Sequence, residues 1–257
     1  MTWDPTLYRR FEDERTRPAH DLLARIALER AAEVVDLGCG PGNSTELLLS
    51  RFASANVIGV DTSEAMLESA RVRLPNCRFQ RADVSSWQAR SAPDVLFANA
   101  VLHWVPGHEQ LFPRLFSTVS AGGALAVQMP DNLNEPSHRS MREVASVGPW
   151  ASVLTDAARV RADILPTQQY YDLLAADASA IDIWRTTYHH VLASTSDIVD
   201  WVRATGLRPF IDPLTEAQRT AFLAEYERRI ADAYPPRSDG KRLLAFPRLF
   251  IVAHRKP

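Results

Sequence analysis

From residue 33 to residue 129, short runs of strand composition alternate with stretches of helical periodicity, and this alternation leaves few architectures open. Strands are expected at 33–37, 56–60, 77–81, 94–98 and 123–129, with helices at 43–52, 63–73 and 108–119. Apolar strands linked by helices form βαβ units, in which a parallel sheet is covered by helices on both faces. Ser63 stands where the second of these helices needs an N-cap. The chain has 257 residues, 46% hydrophobic and 23% charged, which suffices for one domain with a full core.

The flanking segments are less regular. Pro18 suits the first turn of a helix over 18–30, with Leu22, Leu23 and Ile26 as its apolar stripe. Residues 134–147 read as a helix, and 148–166 are poorly periodic and suit a cover. Residues 180–191 have strand composition. Ser194 and Asp197 cap a helix that runs to Thr205 and stops at Gly206. Thr215 and Gln218 match a capping box ahead of the stripe Phe222, Tyr226 and Ile230. The stretch 194–234 therefore reads as a helical cap or packing element. The last strand, 243–253, contains Pro247, which argues for an edge, a bulge or a strand start.

Composition removes several function classes. A net charge of -2 creates no field that would gather nucleic acid or an anionic membrane. No apolar run approaches the ~20 residues needed to span a bilayer. Cys39 and Cys77 form no metal-type pair, and no metal site is expected. A cytoplasmic, reduced, monomeric protein is the expectation.

Gly38, Gly40 and Gly42 follow the first strand in "VVDLGCGPGN" and permit a tight turn with bare backbone facing a ligand. The pattern is G-x-G-x-G, and Asn43 takes the last glycine position of the dinucleotide fingerprint. Asp61 ends the second strand, 19 residues beyond Gly42, where a carboxylate accepts from ribose hydroxyls. Asp83 after the third strand suits an adenine amino group, with Val84 beside it. Asn99 follows the fourth strand in "FANAVLHWV". All lie at carboxyl ends of strands, where open α/β sheets bind ligands. A ribose and an adenine without a phosphate site point to S-adenosylmethionine.

Taken together, "VVDLGCGPGNST", "GVDTSEAML", "ADV" and "FANAVLHWV" resemble the motif series of class I S-adenosylmethionine-dependent methyltransferases over residues 30–130. The resemblance implies a Rossmann-like, seven-stranded, mostly parallel sheet with an antiparallel last strand. An N-terminal helical cover and a C-terminal helical insertion complete it. It implies one domain over 1–257, with a cofactor-binding half at 30–130 and an acceptor-side half at 131–257. By matching position, the three glycines and Asn43 line the methionine part, while Asp61 and Thr62 hold the ribose. Met66, Asp83 and Val84 contact the adenine, and Asn99 lies beneath the methionine. Asp36 orients the loop. No metal takes part, and S-adenosylhomocysteine is the product.

The chain ends narrow the resemblance. "WDPTLYRRFEDERTRPAHDLLARI", "LAVQMPDN", "DIWRTTYHH", "DWVRATGLRPF" and "LLAFPRLFIVAHR" are similar to the trans-aconitate 2-methyltransferase family, which forms a monomethyl ester on a tricarboxylate. Such a substrate needs cations, and arginine matches carboxylate geometry. Arg15, Arg17, Arg185, Arg203, Arg208 and Arg248 are candidates, with Arg15 or Arg17 alternatively clamping the cofactor's own carboxylate. Tyr8 and Phe11 would belong to the N-terminal cover. Trp104 is expected as a wall of the site, His103 as a donor to a carboxylate, and Gln128 as an acceptor contact. His189 and His190 are adjacent on a strand and point to opposite faces. Three alternatives stay open: a methyltransferase for another small carboxylate or natural product, a non-catalytic S-adenosylmethionine-binding protein, and an NAD-linked oxidoreductase.

Overall fold

The computed structural model describes residues 12–157, 160–161 and 164–257, and Tyr8 and Phe11 lie outside them. Helix α1 (Glu12–Leu23) leads into strand β1 (Glu33–Leu37), α2 (Asn43–Arg51), β2 (Asn56–Asp61), α3 (Glu64–Arg73), β3 (Arg78–Arg81) and β4 (Val95–Asn99). A 3-10 turn (Leu102–Trp104), α4 (His108–Thr118), β5 (Ala124–Pro130) and α5 (Pro136–Val147) follow. The chain continues through α6 (Thr167–Ala175), β6 (Ala178–Leu192), α7 (Thr195–Arg203), α8 (Arg208–Ile211) and α9 (Glu216–Ala233), and ends in β7 (Arg242–Arg255).

The strands form one sheet in the order β3-β2-β1-β4-β5-β7-β6. β1 to β5 run parallel, and β7 runs antiparallel to both β5 and β6. Period-two alternation divides β4 between two cores. Val95 and Phe97 face Leu22, Leu48 and Phe250, whereas Leu96 and Ala98 face Phe112, Leu115 and Tyr170. A third cluster joins α5 to the insertion helices through Met141, Trp150, Trp201, Phe222 and Tyr226. Trp150 and Leu154 are buried there, so part of the irregular 148–166 stretch is packed rather than a loose cover.

The caps form as their residues dictate. Ser63 Oγ accepts from Met66 N at 3.4 Å, Ser194 Oγ from Asp197 N at 3.2 Å, and Thr215 with Gln218 closes a capping box.

Two expectations need correction. The first helix begins at Glu12 rather than Pro18, carries Pro18 inside, and ends at Leu23. Glu12, Asp13 and Glu14 occupy its first turn, where acidic side chains complement the helix dipole. Pro247 belongs to an inner strand of the sheet rather than an edge strand, but it stands one residue beyond the last pair that β7 makes with β5. Pairing with β5 stops at Arg248, and the Pro247 carbonyl still accepts from Asp131 N at 2.9 Å. In an antiparallel strand the N–H and C=O of one residue point the same way. The missing N–H therefore lies on the β5 side, beyond the last pair of that ladder, and takes no bond from the ladder with β6.

No helix among the described residues is long and apolar enough to cross a membrane.

Candidate active site

The carboxyl ends of β1 to β5 open onto a cavity of about 450 Å³ that the insertion helices and α1 close from above. The strand order reverses direction between β1 and β4, which is where open α/β sheets form a ligand crevice.

The glycine turn borders the cavity through Gly38 and Gly40. Gly38 has φ +67°, and a Cβ there would stand 2.4 Å from Val101 Cβ. Gly40 has φ +54°, but a Cβ there would meet nothing within 4 Å, so its backbone faces open space. Beneath the turn, Asp36 is fully buried, and its Oδ2 accepts from Ser44 Oγ and Thr45 Oγ1, each at 2.7 Å. Burial raises its carboxyl to about 7 against the lowering effect of those two hydroxyls. Asp36 thus ties β1 to the first turn of α2.

Asp61 is fixed by two backbone donors. Its Oδ2 accepts from Gly40 N and its Oδ1 from Ser63 N, both at 2.9 Å. Each carboxylate oxygen keeps further acceptor capacity for a ribose hydroxyl. Thr62, Met66, Asp83 and Val84 line the same flank. Hydrogen bonds from Ser85 hold the Asp83 carboxyl below its usual range. Arg114, which sequence patterns did not single out, donates to the carbonyls of Val84 at 2.8 Å, Ser85 at 3.1 Å and Trp87 at 2.7 Å. One guanidinium so pins the loop that carries Asp83 and Val84. Asn99 lines the cavity, and its buried Oδ1 has no protein partner.

The opposite flank is rich in cations. Arg161, Arg208 and Arg248 line it, together with His103, Trp104, Asn132 and His138, and Arg15 lines the same cavity from the side of the glycine turn. Adjacent strands lie about 4.8 Å apart, so the four steps from β2 to β7 set Asp61 roughly 19 Å from the strand of Arg248. Arg248 is 4% exposed, donates from Nη1 to Gln128 Oε1 at 3.0 Å and lies 4.9 Å from the Phe246 ring centroid. Arg15 donates to Trp201 O at 3.0 Å and also borders a small side pocket beside Gly40 and Asn43. Arg161 donates to Pro130 O at 2.7 Å, and Arg208 pairs with Asp212 at 2.9 Å. Burial, then the charges of Arg161 and Arg248, push the His103 imidazole well below its ordinary range. Burial and the charges of Arg161 and Arg142 lower His138 to about 3. Both rings are neutral at pH 7.

Several expected residues lie elsewhere. Gly42 packs against α3, where a Cβ would touch Ala70 and Leu74 at 3.4 Å. Asn43 donates to Glu12 Oε1 at 2.6 Å and borders only the side pocket. Arg17 lies over the Tyr188 ring at 5.1 Å, outside the cavity wall. Arg185 is on the outer part of β6, paired with Asp131 at 2.6 Å and bonded to Thr167 Oγ1. Arg203 is exposed. Gln128 is fully buried behind Arg248 and does not line the cavity. His190 is buried and His189 exposed, as strand alternation requires. Sequence patterns missed Arg161, His138 and Asn132. The only signal for Asn132 and His138 was their place shortly after β5, and Arg161, between two helices, had none. Among the described residues, no group of three or more histidine, cysteine or acidic side chains is placed to hold a metal.

A family model described as a methyltransferase domain matches residues 34–123. A trans-aconitate 2-methyltransferase of Paracidovorax citrulli is 63% identical, with 98% of each chain covered. One of Variovorax paradoxus is 59% identical over 100% of this chain and 99% of that one. The crystal structure of the YcgJ protein from Bacillus subtilis shares the fold with a TM-score of 0.62 and 14% identity, covering 94% of this chain and 99% of that one.

Proposed function

The chain belongs to the trans-aconitate 2-methyltransferase family, and from that premise we propose how its cavity divides the work between two ligands. The enzyme esterifies a carboxylate of trans-aconitate with the methyl group of S-adenosylmethionine. When bound, the sulfonium supplies an electrophilic methyl: the carboxylate oxygen forms the O–C bond while the C–S bond breaks, and its electron pair leaves on sulfur. A carboxylic acid with a reference pKa of ~4 is already ionised at pH 7, so no residue has to remove a proton. What the chain must supply is alignment of oxygen, carbon and sulfur, which can contribute up to about 7–11 kcal/mol.

On the first flank Gly40 leaves room for the methionine part, and Asp61 receives the ribose hydroxyls. Asp83 and Val84 take the adenine edge, with Met66 packed against its face. Open space over Gly40, the orphaned Asn99 Oδ1 and the fixed Asp61 carboxylate all fit such a ligand. Arg15, beside the glycine turn, is suited to the cofactor's carboxylate. On the second flank Arg248, Arg161 and Arg208 receive the acid's carboxylates, and His103, kept neutral by burial and by its cationic neighbours, adds a hydrogen bond. The observation that carries this division is the gathering of Arg161, Arg208 and Arg248 on one cavity, besides Arg15 at the glycine turn, in a chain whose net charge is -2. Such a concentration of guanidinium groups suits a small polyanion.

The deciding experiment measures transfer of a radiolabelled methyl group to trans-aconitate, cis-aconitate, isocitrate and citrate. Trans-aconitate should be the fastest acceptor. Faster turnover of another acid would reassign the substrate, and binding of S-adenosylhomocysteine without transfer to any acid would leave a sensor. On the cofactor flank, Asp61→Ala should weaken S-adenosylhomocysteine by about 1–3 kcal/mol, since the ribose loses a charged acceptor. Unchanged affinity by calorimetry would remove Asp61 from that role.

A further inference from the structure

Asn132 is 1% exposed and lines the cavity, yet neither its Nδ2 nor its Oδ1 has a partner. Of the buried side chains among the described residues, it alone has both ends of an amide unsatisfied. Its backbone is well fixed: Asp131 N donates to Pro247 O at 2.9 Å, and Asn132 O accepts from Glu135 N at 3.1 Å as the chain enters α5. The Asp131 carboxylate turns outward to Arg185, and the next side chain turns inward. An orphaned buried polar group costs about 1–3 kcal/mol, and native proteins seldom keep one without a use.

We propose that Asn132 is a specificity-determining contact for the acceptor, its Nδ2 donating a hydrogen bond to a carboxylate of the bound acid. The proposal rests on the acceptor-flank assignment of the preceding section. A fully ionised tricarboxylate offers acceptors only, so Nδ2 is the atom of this amide that it can satisfy. The arginines neutralise charge from several directions. A neutral amide held by the end of β5 adds a direction without adding charge, which distinguishes how the carboxylates are arranged rather than how many there are. The same orphaned amide is a burden on the ligand-free fold.

Stability and substrate binding should therefore respond oppositely to one substitution. In Asn132→Leu, a side chain of similar size without polar atoms, the KM for trans-aconitate should rise about ten-fold or more. Affinity for S-adenosylhomocysteine should be unchanged, and the ligand-free unfolding midpoint should stay level or increase. Asn132→Asp preserves the shape but replaces the donor with an anion, so the KM should rise further. It serves as the second variant should the leucine chain fail to fold. An unchanged KM in both variants overturns the proposal. So does a lowered midpoint with both ligands weakened together, which is the behaviour of a structural asparagine. Arg248→Met separates the two levels of the argument. If that exchange leaves the acid's KM unaltered, the acceptor flank itself is wrongly assigned. If KM rises there but not in the Asn132 variants, only the role of Asn132 falls.

Discussion

Exchange of Arg248 for methionine is expected to cost about 2–5 kcal/mol in trans-aconitate binding, which is the range for removing one partner of a buried, hydrogen-bonded charge pair. Methionine retains the unbranched stem beside Phe246, so the aromatic packing survives and the loss is specific to the guanidinium. Gln128, fully buried, loses the donor that its Oε1 now accepts from, which adds a small stability penalty. The measurement is acid affinity by calorimetry in the presence of S-adenosylhomocysteine, with cofactor affinity measured separately. Acid affinity should fall steeply while cofactor affinity holds, because the strand of Arg248 lies four steps from that of Asp61. Equal weakening of both ligands would point to disruption of the sheet around β7 instead.

Alanine at Gly38 and alanine at Gly40 should fail in different ways. Both glycines have positive φ, where an L-residue costs roughly 1–2 kcal/mol. At position 38 the new methyl also lands 2.4 Å from Val101, so the turn or the segment after β4 must shift. Such overpacking adds about 1–3 kcal/mol. Gly38→Ala should therefore lower the unfolding midpoint clearly and abolish tight cofactor binding with it. At position 40 the methyl meets no protein atom, so the fold bears only the backbone cost. The space it fills is the space proposed for the cofactor, and S-adenosylhomocysteine affinity should fall out of proportion to the stability loss. Chemical denaturation and calorimetry on the two variants test the contrast. Equal effects on both quantities at both positions would refute it.

The nucleoside side of the cavity was legible because its signals are local. The glycine turn after β1, the acid ending β2, the Asp-Val pair after β3 and Asn99 ending β4 each stand at or within two residues of a strand end, and short apolar runs bounded by turn residues mark those ends. Gly42 shows the limit of that logic. It shares the motif with Gly38 and Gly40, but its contact is with Ala70 and Leu74 of α3, and only packing reveals this. Pro247 shows another limit. Whether its missing N–H matters depends on where β5 ends beside it, which the sequence of β7 does not contain.

The acceptor side was much less legible. Arg17, Arg185 and Arg203 looked as suitable as Arg15, Arg208 and Arg248, since an arginine in sequence carries no mark of what surrounds it. Arg185 is on the outer part of β6 with Asp131, while Arg161 reaches Pro130 from a stretch without periodicity. Gln128, expected as an acceptor contact, is buried behind Arg248, whereas Asn132, four residues further on and without an expected role, faces the cavity.

By itself, then, the sequence determined the alternating α/β sheet, its helix caps and the residues at the nucleoside end, because strand and helix periods and turn chemistry act over a few residues. The tertiary structure alone decided which cations, drawn from α1, the segment before α6, α8 and β7, converge on one cavity, and which amide is left there without a partner. Burial and electrostatic neighbourhood arise from contacts between segments far apart in the chain, and no local pattern encodes them.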